Sequence, residues 1–476
     1  MMPVRSREEE APPPRDAARE TAYRVARLLR DPERVARVTS ETFRAAPDEL
    51  MLPGWQPASL LLGHAGIALL HTLLARHDGA WAPVAHAHLS AAAAAVPEAG
   101  AAAAGDLLLP ARLQAARFGG YKRLLTRGTE VHAARAQGSV QRLRARLDQN
   151  GPGLSYLDYD VIAGLTRQGR SLLPDVAGPG DGRSAAALEA VLRFLAGLAR
   201  PVRVRGSEVP GWWCDPARYT VPRDRAEFPE GDFNVGVAHG ISGPLALLAL
   251  ADRAGYRVPG GREAVRRMTE WVLAKERTDA WGPYWPGRVA FEEETAEGLV
   301  APGTEESRTA RADGSARTAR AGWCYGVTGI AWSLHLAGTA LGDEAVTSRA
   351  LAAMRGALRR PLPRATAADA GVCHGRAGMV HAGARLAAAT GDDALWADVD
   401  EGVTALVAAF TEDSAFGYRQ HLWTPDGAVE LDSPSLLDGA AGVALVLASY
   451  ADTRREEAAD ADGPRTAGWD AALAMS

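Results

Sequence analysis

Two cysteines and a histidine stand in glycine-framed turns far apart in the chain. Cys324 lies in Gly322-Trp323-Cys324-Tyr325-Gly326, and the pair Cys373-His374 lies in Val372-Cys373-His374-Gly375. Two thiols and an imidazole form a soft-to-borderline donor set that suits zinc. Three protein ligands leave one tetrahedral position open, the pattern of catalytic rather than structural zinc centres. The chain holds no Cys-x2-Cys, so the spacing matches no zinc finger or ribbon. The fold has to bring the three donors together.

Other groups with chemistry to offer sit in similar turns: His239 in Ala238-His239-Gly240, Asp160 just before Val161-Ile162-Ala163-Gly164, and Arg320 and Tyr325 on either side of Cys324. Each also has a plain structural reading. Asp160 suits the N-cap of the helix that follows, His239 suits a helix cap, and Arg320 borders a polar stretch where it would be a solvated charge. His64 and His381 read as structural, and Cys214 as a bystander thiol with no partner in sequence.

The elements that must position these groups follow from a repeat. Gly-x-x-Gly leading into an apolar run occurs at Gly63/Gly66, Gly240/Gly243, Gly326/Gly329, Gly375/Gly378 and Gly439/Gly442, with a degenerate copy at Ala163 to Gly169. Fifty glycines in 476 residues give about five such pairs by chance. The weight therefore rests on the apolar runs behind them, which read as helices buried on every side. Amphipathic stretches lie between, at 262–276, 343–360 and 392–410. Buried helices alternating with amphipathic ones, about six times, predict an all-α (α/α)6 barrel: an inner ring wrapped by an outer one. The uneven spacing of the copies argues against a stacked solenoid. Inner helices that start on one face would gather the turn residues at one mouth.

Composition narrows the classes. The chain is 47% hydrophobic and 23% charged, as a globular protein is, and its net charge of −5 gives no support to nucleic-acid binding. Three cysteines are too few for a disulfide framework and suit a reducing cytoplasm. No signal-peptide pattern opens the sequence, and no run nears the ~18 to 20 apolar residues that span a bilayer. The expected organisation is a disordered segment over 1–20, one helical domain over 21–451, and a flexible tail over 452–476. Within the domain, an irregular β-containing insertion is expected near 200–233 and a flexible loop near 302–320.

The ordered motifs resemble a known family. Asn234-Val235-Gly236-Val237-Ala238-His239-Gly240-Ile241-Ser242-Gly243, Trp323-Cys324-Tyr325-Gly326 and Cys373-His374-Gly375 are similar to the lanthionine synthetase C-like proteins, the LanC cyclases. Asp160-Val161-Ile162-Ala163-Gly164-Leu165 and Asp432-Ser433-Pro434-Ser435-Leu436-Leu437-Asp438-Gly439 fit the same pattern, and the resemblance runs from about Gly63 to Tyr450. It implies an (α/α)6 toroid, with an SH2-like insertion in many bacterial members. It also implies Zn2+ held by Cys324, Cys373 and His374, His239 and Asp160 as acid/base residues, and Arg320 and Tyr325 assisting. The implied reaction adds a cysteine thiolate of a precursor peptide to dehydroalanine or dehydrobutyrine in the same peptide, closing a lanthionine or methyllanthionine ring. A stand-alone cyclase of this kind implies a precursor with leader and core and a separate dehydratase. One departure is Gly164-Leu165-Thr166-Arg167, where bacterial members usually have Gly-Leu-x-Gly; it places a long cation near the expected mouth.

Three other readings compete. A relative could add a small thiol of the glutathione type to dehydrated residues, or the chain could be a non-catalytic peptide-binding scaffold. An (α/α)6 carbohydrate-active enzyme would need paired carboxylates, whereas these turns supply thiols and imidazoles.

Overall fold

Each glycine turn launches a helix, apolar on nearly every side in five of the six and amphipathic in Leu165–Val176. In the structure, a computed structural model that describes residues 14–47, 54–176, 182–296, 321–362, 367–424, 427–456 and 468–476, these are His64–Leu74, Leu165–Val176, Ser242–Arg253, Val327–Leu341, Arg376–Thr390 and Ala440–Glu456. They are the first to sixth inner helices. Val327–Leu341 shows why they lie inside: from Val327 through Gly338 every residue is buried. The amphipathic helices pack behind them, Gly182–Gly197 on the second, Gly261–Ala274 on the third, Glu344–Arg359 on the fourth and Asp393–Ala408 on the fifth. The N-terminal helix Pro14–Leu28 packs on the sixth inner helix, so the first and last helices of the toroid meet. This is the (α/α)6 architecture expected from the repeat.

Backbone hydrogen bonds link the turns to one another. Leu437 N–H donates to Leu61 O (3.1 Å), and Val372 and Cys373 N–H both donate to Leu437 O (3.0 and 2.9 Å). Cys324 N–H donates to Cys373 O (3.2 Å), Val237 and Ala238 N–H to Cys324 O (2.8 and 3.1 Å), and Val161 N–H to Ala238 O (3.0 Å). Five links thus tie six turns at one mouth. Hydroxyls two residues after the first glycine brace three of them: Thr166, Ser242 and Thr328 donate to Tyr159 O, Val235 O and Ala321 O, each seven residues back.

The glycines are required by close approach. A Cβ on Gly329 would lie 2.1 Å from Trp323 O, and one on Gly326 would lie 2.2 Å from Gly322 O. The neighbours are backbone and cannot swing aside. Gly329→Ala is expected to destabilise the fold by about 3 kcal/mol or more, as overpacking against an immovable wall does. Denaturant unfolding checks this, and a midpoint equal to wild type would contradict it.

Several boundaries differ from the sequence expectation. Residues 14–20 are helical rather than disordered, because Ala18, Ala22, Val25 and Ala26 give Pro14–Leu28 an apolar face for the sixth inner helix. The tail is not loose at its end. Trp469, Leu473 and Met475 are buried, His381 Nε2 lies 3.0 Å from Asp470 Oδ2, and Trp332 and Arg385 donate to Met475 O. These contacts set 468–476 between inner helices, where apolar side chains anchor it. The expected insertion starts as a hairpin, Pro201–Val204 with Ser207–Pro210, turning at Arg205 and Gly206 with φ of 51° and 88°. It does not end at 233: Asp232–Asn234 pairs with Arg288–Ala290 beyond the third helix pair. Among the described residues the strands form four separate two-stranded pairs, so no SH2-like sheet is built. The loop near 302–320, including Arg320, lies outside the described residues. Among the described residues no helix is long and apolar enough to cross a membrane.

Candidate metal centre and acid/base pair

Cys324 and Cys373 hold the same register, two residues before the first glycine of their turns, and so occupy adjacent links of the hydrogen-bonded ring. Their thiols are buried (2% and 5% exposed), whereas the His374 side chain is 55% exposed at the mouth. One ligand atom from each of Cys324, Cys373 and His374 falls within 4.8 Å of the others, and Cys373 Sγ to His374 Nε2 is 3.8 Å. The three sequence candidates for a metal therefore converge.

The donor set suits a cation. The Cys373 thiol is pushed well above the usual range, first by its hydrogen bond to Cys324 and then by burial. The charge of a Cys324 thiolate pushes His374 well above the ordinary imidazole value, against the effect of burial and with help from Asp438. Two buried thiols that oppose each other's ionisation need a positive charge between them to ionise together, which zinc supplies. The residues fit zinc.

Asp438 was missed as a site residue. Its Oδ1 lies 3.6 Å from His374 Nδ1, leaving Nε2 as the ring nitrogen on the cysteine side. A carboxylate behind a ligating imidazole fixes ring orientation and tautomer. The sequence held a signal for it. The residues just before the first glycine of the six turns are Leu62, Ala163, His239, Tyr325, His374 and Asp438, and the last four form one continuous arc of polar groups.

His239 and Asp160 form the second cluster. His239 Nδ1 lies 2.5 Å from Asp160 Oδ2, with Asp160 fully buried and His239 a quarter exposed. Asp160 Oδ1 accepts from Ala163 N–H (2.7 Å) and Gly164 N–H (2.6 Å). One oxygen of Asp160 therefore closes the turn, as in the cap reading, and the other orients the imidazole. Tyr156, which sequence reasoning did not single out, sets its ring edge-on to His239 at 5.1 Å. The Tyr325 ring lies 6.0 Å from His239, and its hydroxyl accepts from Asn234 Nδ2 (3.3 Å). Burial pushes the Tyr325 phenol well above its ordinary pKa, so it stays protonated.

Three remaining candidates resolve as structural. Cys214 is fully buried, near Tyr159 Oη (3.6 Å), and burial pushes its thiol well up. His64 pairs with His88 through their Nδ1 atoms (3.1 Å), and His381 serves Asp470. Arg167, the departure in the second turn, donates to Asp106 Oδ1 (2.6 Å) and Ile162 O (2.9 Å). It lines a cavity of about 770 Å³ that also reaches Leu437 and Asp438.

The family model described as "Lanthionine synthetase C-like protein" matches residues 186–461. The chain belongs to that family. Among curated proteins, the nisin biosynthesis protein NisC of Lactococcus lactis subsp. lactis is similar to this lanthionine synthetase C-like chain, 26% identical over 157 residues. That alignment covers 32% of this chain and 33% of NisC, so the chain matches about a third of that relative's length. Among solved structures, a nisin cyclase shares the fold, with a TM-score of 0.66 at 18% identity over 90% of this chain and 94% of that one.

Proposed function

We propose that the chain is a zinc-dependent lanthipeptide cyclase that closes thioether rings in a dehydrated precursor peptide. The observation that carries this reading is the convergence of Cys324, Cys373 and His374 beside the His239–Asp160 pair at one mouth. The likeness to proteins printed as nisin biosynthesis protein and nisin cyclase supports it.

In this reading Cys324, Cys373 and His374 hold the metal and Asp438 fixes His374. Zinc, when bound, supplies a positive centre that keeps the incoming cysteine as a reactive thiolate at neutral pH. The sulfur adds to the β-carbon of a dehydroalanine or dehydrobutyrine, a C–S bond forms as the alkene π bond breaks, and the electron pair moves to the α-carbon. His239, held by Asp160, delivers the proton to that carbon. The proton lost by the thiol is thereby balanced, and the peptide's mass is unchanged. Tyr325 and Asn234 form the wall beside His239, and Arg320 would stabilise the developing negative charge. The substrate implies a separate dehydrating partner, and three free thiols suit a reducing cytoplasm.

Asp438→Asn is expected to weaken zinc binding about 10- to 100-fold while leaving the fold intact, as removal of such outer carboxylates does. Competition with a chromophoric chelator reads this, and unchanged zinc affinity would contradict the role given to Asp438.

The function itself is tested by giving the enzyme a dehydrated peptide with its own cysteine, in the presence of glutathione. A cyclase leaves the mass unchanged and removes the alkylatable thiol. A mass increase of one glutathione with the peptide thiol still free would identify a small-thiol transferase instead. Binding without either change would leave a scaffold.

A further inference from the structure

The His239 imidazole is held by more than its carboxylate. Nδ1 lies 2.5 Å from Asp160 Oδ2, which leaves Nε2 as the ring nitrogen for a substrate. Tyr156 sets its ring edge-on to the imidazole, with 5.1 Å between centroids and 65° between planes. The Tyr325 ring lies 6.0 Å away at 37°. A quarter of the His239 side chain stays exposed. An imidazole with one nitrogen on a buried carboxylate and an aromatic ring packed edge-on has little freedom to tilt.

Tyr156 is itself fixed. It opens the short helix Tyr156–Tyr159, where Ser155 Oγ accepts from Leu157 N–H (3.3 Å) and Asp158 Oδ2 accepts from Ser155 N–H (2.8 Å), a closed capping box. Arg146 donates to both oxygens of Asp158 and ties this helix to Lys122–Asn150. At the far end of the ring, Tyr156 Oη lies 3.2 Å from Thr220 Oγ1, in the segment that follows the 201–210 hairpin. Burial raises the phenol above its ordinary pKa, so the ring beside His239 carries no charge at neutral pH. What it offers the imidazole is shape.

We propose that Tyr156 is a positioning residue: it confines His239 to one line of approach and so sets the configuration at the α-carbon of each new thioether bridge. The inference rests on the cyclase reading above. In that reaction, addition of sulfur leaves an electron pair on a flat α-carbon with two faces open to a proton. The proton passes from His239 Nε2 to that carbon: an N–H bond breaks, a C–H bond forms, and the imidazolium becomes neutral imidazole. The proton it gives up replaces the one released by the substrate thiol. Delivery to one face gives one configuration, and delivery to the other gives its opposite. Without the Tyr156 ring the imidazole is free to tilt and water reaches the same carbon. A water that donates there leaves hydroxide, which the imidazolium neutralises, and both faces take the proton.

The test gives the zinc-loaded full chain a dehydrated, cysteine-containing precursor, hydrolyses the product and resolves its lanthionine by chiral gas chromatography. Rings closed without protein are subtracted. Wild type is expected to give one configuration in excess. Tyr156→Ala should lower that ratio about two- to tenfold, the bias that an edge-to-face pair supplies. Tyr156→Phe, which keeps the ring, should restore it. Loss of a merely structural residue would slow ring closure and leave the ratio alone. If Tyr156→Ala closes no rings, Tyr156→Leu takes its place in the comparison. A wild-type ratio in the variant without the ring overturns the proposal, as does an even mixture from wild type. So does a Tyr156→Phe ratio as low as that of Tyr156→Ala, or ring closure lost in both Tyr156→Ala and Tyr156→Leu. Absence of ring closure by wild type is a different result, and it overturns the cyclase reading and this inference with it.

Discussion

Cys373→Ala is expected to lower the rate of thioether formation by about two to three orders of magnitude or more and to remove zinc from the protein. The two losses have one cause. Without Cys373 only Cys324 and the half-exposed His374 remain, and two donors do not hold the ion against solvent. A peptide thiol with a pKa of ~8.5 is only a few per cent thiolate at pH 7, so loss of metal activation alone costs about 30-fold. Loss of positioning against the alkene multiplies that figure. Zinc content per chain and single-turnover ring closure should fall together. Ring closure at the wild-type rate in a zinc-free Cys373→Ala protein would contradict the assignment.

The second large effect is acid lability. Burial lowers His64 and His88 to about 3, and His71, His132 and His335 to about 4. His64 and His88 also face each other, and His71 and His88 stack at 5.3 Å, so a charge on one opposes a charge on the next. The folded-state values lie below the unfolded value of ~6.5, so the unfolded chain takes up the protons first. The stability these groups permit is complete above pH ~6.5 and is lost as pH falls toward 4 and 3. At pH 5 each group costs about 2 kcal/mol, so five cost about 10 kcal/mol. Even half of that is on the scale of a whole domain's stability. Chemical denaturation with a chelator present, so that metal release plays no part, should give a far lower midpoint at pH 5 than at pH 7.5. Equal midpoints would contradict neutral burial of these histidines.

The cluster of candidate metal donors and the ring of helices were legible because both leave a local signature. A glycine followed by an all-apolar helix can be read in one dimension, and Cys324 and Cys373 take the same register in their turns. Asp438 was quoted only as part of a motif, because an aspartate before a glycine is a common turn residue and its partner His374 is 64 positions away. The register shared by His239, Tyr325, His374 and Asp438 was the available clue. Tyr156 carried no such mark, since its contact with His239 spans two turns and has no sequence period.

The boundaries failed for a different reason. Residues 468–476 follow a charged, alanine-rich stretch whose composition suits a loose tail, and only tertiary contact with Trp332, His381 and Arg385 shows them as interior. Likewise Asp232–Asn234 read as the end of an insertion, while its strand partner lay beyond two intervening helices. Long-range pairing of short strands has no periodic trace in the sequence.

The most direct test of the zinc-cyclase account is a metal add-back on wild-type protein. The chelator-stripped chain is incubated with a dehydrated, cysteine-containing precursor, then alkylated and weighed by mass spectrometry, with and without one equivalent of zinc. The account predicts free, alkylatable thiols without zinc and their loss at unchanged peptide mass once zinc is restored. Ring closure at the same rate by the stripped protein, or thiols left free by the zinc-loaded one, would contradict it.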